Sequence, residues 1–329
     1  MRGMILAGGL STRLHPLTLD VPKPLVPVFD RPVVDHVIDY LAGHGVDDIV
    51  INVHYFAEAV ESYIGDGAKW GVKIEYLREP ELMGSAGAVK QVASRFPETF
   101  VVIGCDDVTD VDLGECVRFH RERGAEATIV LAEAGDVSQY GVVVVDADGR
   151  ITGFQEKPRK GTELSNLANT GIYVFEPEVL DRIPAHTFYD FGKQVFPEML
   201  EARARFYGIR TRAYWCDIGT PREYRRCHFD ALAGKVRLRP RDGAVVRDGV
   251  LVGPGSQIDP AARIAGPACI GAGSRIEAGA RIERAILWDD VVVESGATVV
   301  DAVLGAGMRV AAGSSVNGGE FGKAANVVL

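Results

Sequence analysis

Short apolar runs alternate with amphipathic stretches along the first part of the chain. The predicted elements are strands at 4–7, 48–54, 72–77 and 99–103 and helices at 32–44, 56–64, 85–96 and 113–123. This alternation predicts an α/β fold with a mostly parallel sheet and helices on both of its faces. Ligands of such sheets bind beyond the carboxyl ends of strands, which is where Gly8-Gly9 and Cys105-Asp106 fall.

A different pattern begins near residue 250. Apolar side chains recur every sixth residue, with Gly, Ala and Pro between them, at Val252, Ile258, Ile264, Ile270, Ile276, Ile282 and Trp288. The phase then slips once, and the spacing resumes at Val293–Val299 and at Leu304, Val310 and Val316. A period of six predicts a parallel β-helix, in which each side of a triangular coil points one apolar residue inward. We therefore expect a first domain at 1–232, a polar, Arg-rich linker at 233–249 and a β-helix domain at 250–329.

Composition limits the classes of partner. The chain is 47% apolar and 25% charged, as expected of a globular protein, and its net charge of −9 disfavours a nucleic-acid partner. Five cysteines without a Cys-x-x-Cys pair argue against a disulfide framework and favour a reducing compartment. No apolar run approaches the length of a membrane span, and Met4–Ala7 is too short for a signal peptide. We expect a cytoplasmic protein that binds no membrane.

Two cationic side chains stand close to the glycines that follow the first strand. Gly8-Gly9 let the backbone approach a polyphosphate, and Arg13 can then clamp phosphate oxygens. Lys23 lies between two prolines, which predicts a stiff, extended segment and a small entropy loss when the lysine is fixed. Considered alone, the glycines fit an ordinary turn, and a lysine of this kind is usually a solvated surface residue.

The resemblance to a known family becomes specific when the motifs are taken in order. The segment Leu6-Ala-Gly-Gly-Leu-Ser-Thr-Arg13, followed by Pro22-Lys-Pro-Leu25, resembles the signature of the sugar-1-phosphate nucleotidyltransferases. The match covers about residues 3–232, and the repeat resembles the left-handed β-helix of many members. The resemblance implies a Rossmann-like nucleotidyltransferase fold and the joining of a nucleoside triphosphate to a sugar 1-phosphate with release of pyrophosphate.

The same resemblance assigns roles to individual residues. The residues implied to bind the nucleotide are Leu6, Ala7, Gly8, Gly9, Ser11, Thr12, Glu79, Gly84 and Ser85. Those implied to form the sugar-phosphate pocket are Tyr140, Gly141, Glu156, Lys157, Asn169 and Thr170. Arg13 and Lys23 are implied to be catalytic, because they would hold the triphosphate and the charge that develops at the α-phosphate.

Asp106 and Asp217 are the metal-binding residues that the resemblance implies. Two polyanions repel each other, so the reaction depends on charge neutralisation and positioning, and Mg²⁺ prefers one or two carboxylates plus substrate oxygens. Each aspartate also has a structural interpretation. Asp106 can cap the turn after its strand, and Asp217 can begin a tight Asp-Ile-Gly turn.

The sequence departs from the family pattern at two glycine positions. Ser11 replaces the glycine that usually precedes Thr12, and Cys105 replaces the glycine usual before the metal-binding aspartate. A Cβ at either place narrows the room for phosphate or metal. The change either retunes the substrate or weakens the enzyme.

Several functions remain open. The motifs most resemble the mannose-1-phosphate guanylyltransferase branch, with GTP and mannose 1-phosphate or a related hexose or cyclitol phosphate as substrates. Uridylyl-, thymidylyl- and adenylyltransferases share most of these motifs, and a non-catalytic regulatory subunit that binds nucleotide sugar is a further alternative. Acyl transfer by the β-helix is disfavoured, because the last histidine, His228, precedes the repeat. Since the two ends of a β-helix need cover, we also expect a homo-oligomer.

Overall fold

The computed structural model describes residues Met1–Gly322, so residues 323–329 of the predicted β-helix domain lie outside the described residues. Contacts between Cα atoms divide the chain into two compact units. Unit 1 comprises Met1–Gly9 and Val37–Trp215, and unit 2 comprises Leu10–His36 together with the chain from Cys216 onward. Within the described residues, no helix combines the length and the apolar composition that crossing a membrane requires.

The elements up to the repeat follow the predicted alternation closely. The strands are β1 Arg2–Leu6, β2 Pro27–Val28, β3 Arg31–Pro32, β4 Asp48–Val53, β5 Lys73–Arg78, β6 Phe100–Gly104, β7 Asp107–Thr109, β8 Ala127–Glu133, β9 Gly141–Val145, β10 Ile151–Glu156, β11 Leu167–Phe175, β12 Phe206–Thr211 and β13 Trp215–Asp217. The helices are α1 Val33–Gly43, α2 Ala57–Ile64, α3 Gly84–Gln91, α4 Leu113–Glu122, α5 Phe196–Glu201 and α6 Pro221–Leu232.

The main sheet of unit 1 is mixed. Strands β6, β1, β4 and β5 are parallel neighbours, and the apolar runs of β6, β1 and β4 are buried. Strand β11 pairs antiparallel with β6, β8 and β9. The predicted fold class is confirmed. The antiparallel part of the sheet contains β9, β10 and β11, which carry most of the residues predicted to form the sugar-phosphate pocket. An aromatic cluster around Phe100, Phe175 and Phe196 fills its core.

The repeat of unit 2 forms three parallel sheets, as predicted for a left-handed β-helix. Its strands are β14 Val245–Arg247, β15 Val250–Val252, β16 Gln257–Ile258, β17 Arg263–Ala265, β18 Ala268–Ile270, β19 Arg275–Ile276, β20 Arg281–Glu283, β21 Ile286–Leu287, β22 Val292–Val293, β23 Thr298–Val300, β24 Val303–Leu304, β25 Arg309–Val310, β26 Ser315–Asn317 and β27 Glu320–Phe321. Strand β14, inside the stretch predicted as a linker, pairs antiparallel with β15. It therefore forms one end of the six-stranded sheet.

One position of the predicted repeat is corrected. Ile270 pairs with Leu287, and Leu287 pairs with Leu304, so Leu287 and not Trp288 continues the inward row. The first coil advances 18 residues, from Val252 to Ile270, and the next advances 17. Trp288 instead donates a hydrogen bond from its indole nitrogen to the hydroxyl of Tyr224 in α6, at 2.9 Å. A strict period of six requires 18 residues in each coil and therefore does not describe a coil of 17 residues.

Candidate active site

A carboxylate with two cations beside it lies in unit 2. Lys23 Nζ is 3.6 Å from Asp217 Oδ1, and Arg13 Nη2 is 3.9 Å from Asp217 Oδ2. The side chain of Arg13 is 47% exposed, whereas that of Lys23 is only 11% exposed. Three residues predicted to act on phosphate and metal are therefore neighbours, although the chain separates Lys23 from Asp217 by most of unit 1.

Local sequence fixes these three side chains. Arg13 and Lys23 each lie in a short 3₁₀ turn, Thr12–Leu14 and Lys23–Leu25, so the segment after Pro22 is a turn and not the extended segment predicted. Asp217 ends β13, just before helix α6, whose first turn is capped by the Thr220 side chain accepting from Glu223 N. The turns fix the backbone at both cations, and the low exposure of the Lys23 side chain leaves it less freedom than the half-exposed Arg13.

A glycine packs closely against the carboxylate of Asp217. A Cβ at Gly219 would lie 2.8 Å from Asp217 Oδ1 and 2.9 Å from Arg13 Nη2, closer than real Cβ contacts. The tight Asp-Ile-Gly turn, which was the structural interpretation of Asp217, is not formed, because Asp217 ends β13 and residues 218 and 219 belong to no turn. The side chain of Asp217 is 17% exposed.

Ser11 occupies a backbone conformation that favours glycine. Its φ is 54° and its ψ 31°, in the left-handed region, and its carbonyl accepts from Thr18 Oγ1 at 2.9 Å and from Leu14 N at 3.1 Å. A non-glycine residue in this region costs on the order of 1–3 kcal/mol. Cys105 differs from Ser11. It is buried and its φ is not positive, so replacing the usual glycine at this position carries no cost in backbone strain.

Asp106 and Asp107 follow strand β6 in unit 1 but have different surroundings. Asp107 is 5% exposed, and its two oxygens accept from Trp215 Nε1 at 2.9 Å and from Gly104 N at 3.2 Å. Asp106 is half-buried, and a Cβ at Gly104 would lie 2.7 Å from its Oδ1. Asp107 therefore organises the end of the strand, while the glycine keeps room beside the Asp106 carboxylate.

The glycine loop after β1 is held by a buried amide and carboxylate. Asn52 accepts from Ala7 N at 2.9 Å and donates to Glu79 Oε2 at 2.6 Å, and Glu79 Oε1 accepts from Met83 N at 3.1 Å. A Cβ at Gly8 would lie 2.7 Å from Asn52 Nδ2 and 2.9 Å from Glu79 Oε2. Glu79 is 4% exposed, and through its hydrogen bond with Asn52 it stabilises the conformation of the loop.

The other residues of unit 1 that were predicted to bind the nucleotide lie at the end of β1, directly after it, or at the start of α3. Leu6 closes β1 and accepts through its carbonyl from Cys105 N at 3.0 Å, and Gly9 has open space where a Cβ would stand. Gly84 begins α3 with φ 75°, and its missing Cβ lets the carbonyl of Tyr189 approach. The Ser85 hydroxyl donates to Asp190 Oδ2 at 2.9 Å and accepts from Phe191 N at 3.0 Å.

The Asn169-Thr-Gly171 motif forms an irregularity in strand β11. Its register against β8 shifts between Asn169 and Tyr173, and Gly171 has φ 81°. The Asn169 amide donates to the Tyr173 hydroxyl at 3.0 Å and accepts from Gly171 N at 3.0 Å, which fixes its orientation. Thr170 is 1% exposed, and its hydroxyl donates to the carbonyl of Val130 at 2.8 Å. Bulges of this kind commonly re-aim a side chain at an active site.

Glu156 and Lys157 form a pair at the end of β10. Lys157 Nζ is 3.7 Å from Glu156 Oε1, and the backbone of Lys157 is left-handed with φ 45°. Burial raises the pKa of Glu156, and the lysine opposes this shift. Gly192 lets its backbone approach Glu156 Oε2, and a Cβ at Gly141 would lie 3.3 Å from the same oxygen.

Tyr140 completes this set from the preceding loop. Its carbonyl accepts from Lys157 N at 3.1 Å, and its ring packs edge-on against Trp215 at 5.0 Å between centroids. Trp215 is the residue that also binds Asp107, so the aromatic pair connects the sugar-side loop to the end of β6.

Sequence reasoning missed four residues that organise these sites. They are Asn52, Asp107, Asp190 and Gly219. Asp107 and Gly219 stand inside motifs already singled out, so a signal for them was present. Asn52 lies within the predicted strand 48–54, where a buried amide is a recognisable exception in an apolar run. No pattern in the sequence indicated Asp190, since it acts across 105 residues on Ser85.

Two family models match the chain. The model of the nucleotidyl transferases matches residues 2–233, and that of the GMPPB C-terminal domain matches residues 246–328. The chain belongs to the nucleotidyl transferase family.

Named relatives of this nucleotidyl transferase act on different substrates. A UTP–glucose-1-phosphate uridylyltransferase of Synechocystis is 42% identical over 238 residues, which are 68% of this chain and 61% of that protein. A mannose-1-phosphate guanylyltransferase catalytic subunit beta of Drosophila pseudoobscura is 39% identical over 227 residues, which are 68% of this chain and 60% of that protein. The chain thus spans less than two thirds of these relatives. The crystal structure of HddC from Yersinia pseudotuberculosis complexed with GMP-PN has a TM-score of 0.60 at 27% identity and covers 69% of this chain and 97% of that one.

A divalent metal ion is typical of this family. Among residues 1–322, no group of three or more His, Cys, Asp or Glu side chains is arranged to hold a metal. A hard cation that keeps substrate oxygens and waters as ligands needs only one or two carboxylates. Asp106 and Asp217 fit that requirement individually, because Asp106 is half-buried and Asp217 is 17% exposed, and neither carboxylate meets a Cβ at Gly104 or Gly219.

Proposed function

We propose that this nucleotidyl transferase makes a nucleoside diphosphate sugar from a nucleoside triphosphate and a sugar 1-phosphate. An oxygen of the sugar phosphate attacks the α-phosphorus, the bond from that phosphorus to the bridging oxygen breaks, and pyrophosphate leaves. The observation that carries the proposal is the placement of Lys23 and Arg13 around Asp217 in unit 2. This reaction needs fixed cations beside a carboxylate more than it needs an acid or a base.

Each residue group has a role in this proposal. Arg13 and Lys23 neutralise the triphosphate and the charge that develops on the α-phosphate in the transition state. The loop from Leu6 to Thr12, together with Glu79, Gly84 and Ser85, receives the nucleotide. The pocket for the sugar phosphate consists of Tyr140, Gly141, Glu156, Lys157, Asn169 and Thr170. In this pocket Lys157 holds the phosphate and the half-buried Glu156 binds hydroxyls.

We propose Mg²⁺ as the metal and Asp106 and Asp217 as its protein ligands. When bound, Mg²⁺ would neutralise phosphate charge and help to align the α-phosphate with the attacking oxygen. Both carboxylates lie beside a glycine whose missing Cβ avoids a clash with them. Lys23 Nζ lies 3.6 Å from Oδ1 of Asp217 and helps to hold that carboxylate in place.

GTP and mannose 1-phosphate are the proposed substrates. The match of the GMPPB C-terminal domain to residues 246–328 and the Drosophila relative support this choice. The Synechocystis relative supports the alternative of UTP and glucose 1-phosphate. A related hexose or cyclitol 1-phosphate is a further candidate for the acceptor.

A direct assay separates these substrates. The protein is incubated with Mg²⁺, each of GTP, UTP, dTTP and ATP, and a panel of sugar and cyclitol 1-phosphates, and pyrophosphate release is followed. We expect GTP with mannose 1-phosphate to react fastest and EDTA to abolish turnover. Full activity in EDTA would refute the two-carboxylate metal site.

The assay also tests a non-catalytic role. If no pair of substrates releases pyrophosphate while calorimetry detects binding of a nucleotide sugar, the protein is a regulatory subunit. The cluster of Arg13, Lys23 and Asp217 counts against that outcome, because a subunit that only binds nucleotide sugar has no need of it.

A further inference from the structure

A chain of hydrogen bonds within unit 2 runs from the β-helix to the segment that follows Lys23. Trp288 Nε1 donates to the Tyr224 hydroxyl at 2.9 Å, and that hydroxyl donates to the carbonyl of Pro27 at 2.7 Å. Tyr224 is fully buried and Trp288 is 5% exposed. A buried hydroxyl that both donates and accepts has a fixed orientation, since losing either bond leaves a polar atom unsatisfied.

A second set of contacts holds the same segment. His228 Nε2 lies 3.2 Å from the carbonyl of Pro27, and His228 Nδ1 lies 3.4 Å from Phe29 N and 3.3 Å from Cys269 Sγ. Asp30 accepts from Arg241 N at 3.0 Å, and Arg241 in turn pairs with Asp289 of the β-helix at 2.7 Å. Residues 27–30 are therefore held by α6 and by Arg241, each of which in turn contacts the β-helix.

This segment is continuous with the predicted catalytic lysine. Val26 N donates to the carbonyl of Lys23 at 3.1 Å, which closes the turn that carries the lysine, and Pro27 follows directly. Helix α6, which carries Tyr224, begins at Pro221, four residues after Asp217. Tyr224 thus connects the segment that bears Lys23 to the helix that follows Asp217, and Trp288 fixes Tyr224 from the β-helix.

We propose that Tyr224 and Trp288 are positioning residues through which the β-helix sets the distance between Lys23 and Asp217. The inference rests on the proposed function, because it assigns the β-helix a part in the same reaction. Neither side chain touches substrate. Their effect on catalysis passes through Lys23, whose charge must meet the α-phosphate in one geometry, and a displacement of about 1 Å in such a group can cost roughly 100-fold in rate.

The test uses Tyr224→Phe, which removes one hydroxyl at nearly constant volume. Tyr76→Phe, in β5, is the matched control. The hydroxyl of Tyr76 also donates to a backbone carbonyl, that of Gly65, at 2.5 Å. We expect Tyr224→Phe to lower kcat roughly 10- to 100-fold, with less than about a threefold change in the KM of the triphosphate. Trp288→Phe removes the indole donor to Tyr224 together with part of a buried ring system, and it is expected to lower kcat in the same direction by a smaller factor.

The decisive measurement is a double-mutant cycle with Lys23→Met. If Tyr224 acts through Lys23, then Tyr224→Phe changes kcat less than about twofold when Lys23 is already absent. An equal loss in both backgrounds, or a Tyr224→Phe enzyme as active as Tyr76→Phe, would overturn the inference. Thermal unfolding of each variant separates these outcomes from a general loss of folding.

Amide hydrogen exchange tests the positioning role without a measurement of enzyme activity. We expect the amides of Val26 and of residues 28–30 to exchange roughly 10-fold faster in Tyr224→Phe than in the wild-type protein, with no change there in Tyr76→Phe. If the wild-type protein releases no pyrophosphate from any substrate pair, the proposed function fails. Unchanged exchange at Val26 and at residues 28–30 would instead refute the positioning role itself.

Discussion

Lys23 Nζ lies 3.6 Å from Asp217 Oδ1. In the sequence, the two residues flank the segment Val37–Trp215, which forms most of unit 1. With Lys23 only 11% exposed, this pair is not a solvated surface contact, and Arg13 approaches the other oxygen of the same carboxylate. An anionic substrate brought to this cluster would find cations already in place. Catalysis by fixed charge requires such an arrangement, since no reorganisation is then needed during the reaction.

Replacing either cation should therefore reduce turnover more than stability. We expect Lys23→Met and Arg13→Ala each to lower kcat/KM by roughly 10²–10³, the loss typical of removing one electrostatic stabiliser. Lys73→Met, in an exposed ion pair with Glu75, serves as the control and should leave the rate unchanged. Near-normal turnover in either variant would reassign that residue to a structural role. Steady-state kinetics of pyrophosphate release measures the effect.

Asp106 and Asp107 should respond differently to the same substitution. We expect Asp106→Asn to lower turnover roughly 10²–10³-fold with an unchanged unfolding temperature. Asp107→Asn should instead destabilise the fold by about 1–3 kcal/mol, because it disturbs the buried hydrogen bonds to Trp215 Nε1 and Gly104 N. Paired measurements of activity and urea unfolding compare the two. A loss of stability confined to Asp106→Asn would reverse the assignment and favour its interpretation as a turn cap.

Much of this site follows from local sequence. The strands β1, β4, β5 and β6 were predicted within one or two residues, because their apolar runs are continuous and bounded by polar turns. The repeat was predicted because one inward apolar residue per side is a requirement of every coil. Trp288 was misassigned because the 17-residue coil changes the phase locally while the neighbouring sequence stays apolar.

What the sequence lacks is information on contacts between distant residues. The antiparallel position of β11 among β6, β8 and β9 depends on pairing across the fold, which periodicity does not encode. The burial of Lys23 was also missed, since a lysine between prolines is usually solvated. Three points stay predictions. They are the joint binding of a metal by Asp106 and Asp217, the domain boundaries, and the roles of individual site residues.

The stability of the protein should depend on the protonation of His228. Burial lowers the pKa of His228 to about 3 from an ordinary value of 6.5. Between these values the unfolded chain binds a proton that the folded chain does not, so this residue's stabilising contribution is complete above pH 6.5 and is lost as the pH falls towards 3. The expected loss from pH 7 to 5 is about 2 kcal/mol in the free energy of unfolding.

Urea unfolding at the two pH values measures this contribution. His228→Gln should be less stable at pH 7, because its contacts with Pro27 and Phe29 are altered, and should lose less stability between pH 7 and 5. His186→Gln is the control, since His186 is exposed, and it should retain the wild-type pH dependence. Identical pH dependence in all three proteins would show that His228 is not the titrating group.

We predict that the protein is a homo-oligomer. Strand β14 forms one end of its sheet, and Val245 and Val246 are 59% and 45% exposed there. Edge strands with exposed apolar side chains readily pair with another chain. Light scattering or ultracentrifugation at micromolar concentration should give a mass above 35.5 kDa. A strictly monomeric mass would refute the prediction.

Ser11→Gly tests the clearest departure from the family pattern. The backbone of Ser11 is left-handed with φ 54°, so glycine removes a local cost of about 1–3 kcal/mol, partly offset by the greater entropy of an unfolded glycine. The unfolding temperature should therefore be unchanged or raised. Activity should nevertheless fall, because we expect the Ser11 hydroxyl to donate to a phosphate oxygen, a bond that contributes about 1.5–3 kcal/mol when the acceptor is charged.

Ser11→Ala separates the hydroxyl from the Cβ. If the hydroxyl binds phosphate, both variants lose it, and each should raise the KM of the triphosphate or lower kcat by roughly 10- to 100-fold. If the Cβ only crowds the loop, Ser11→Ala should match the wild-type protein while Ser11→Gly equals or exceeds it. Steady-state kinetics with the triphosphate varied distinguishes the two patterns. A Ser11→Gly enzyme more active than its parent would mean that serine weakens the loop, and the hydroxyl would then have no role in binding phosphate.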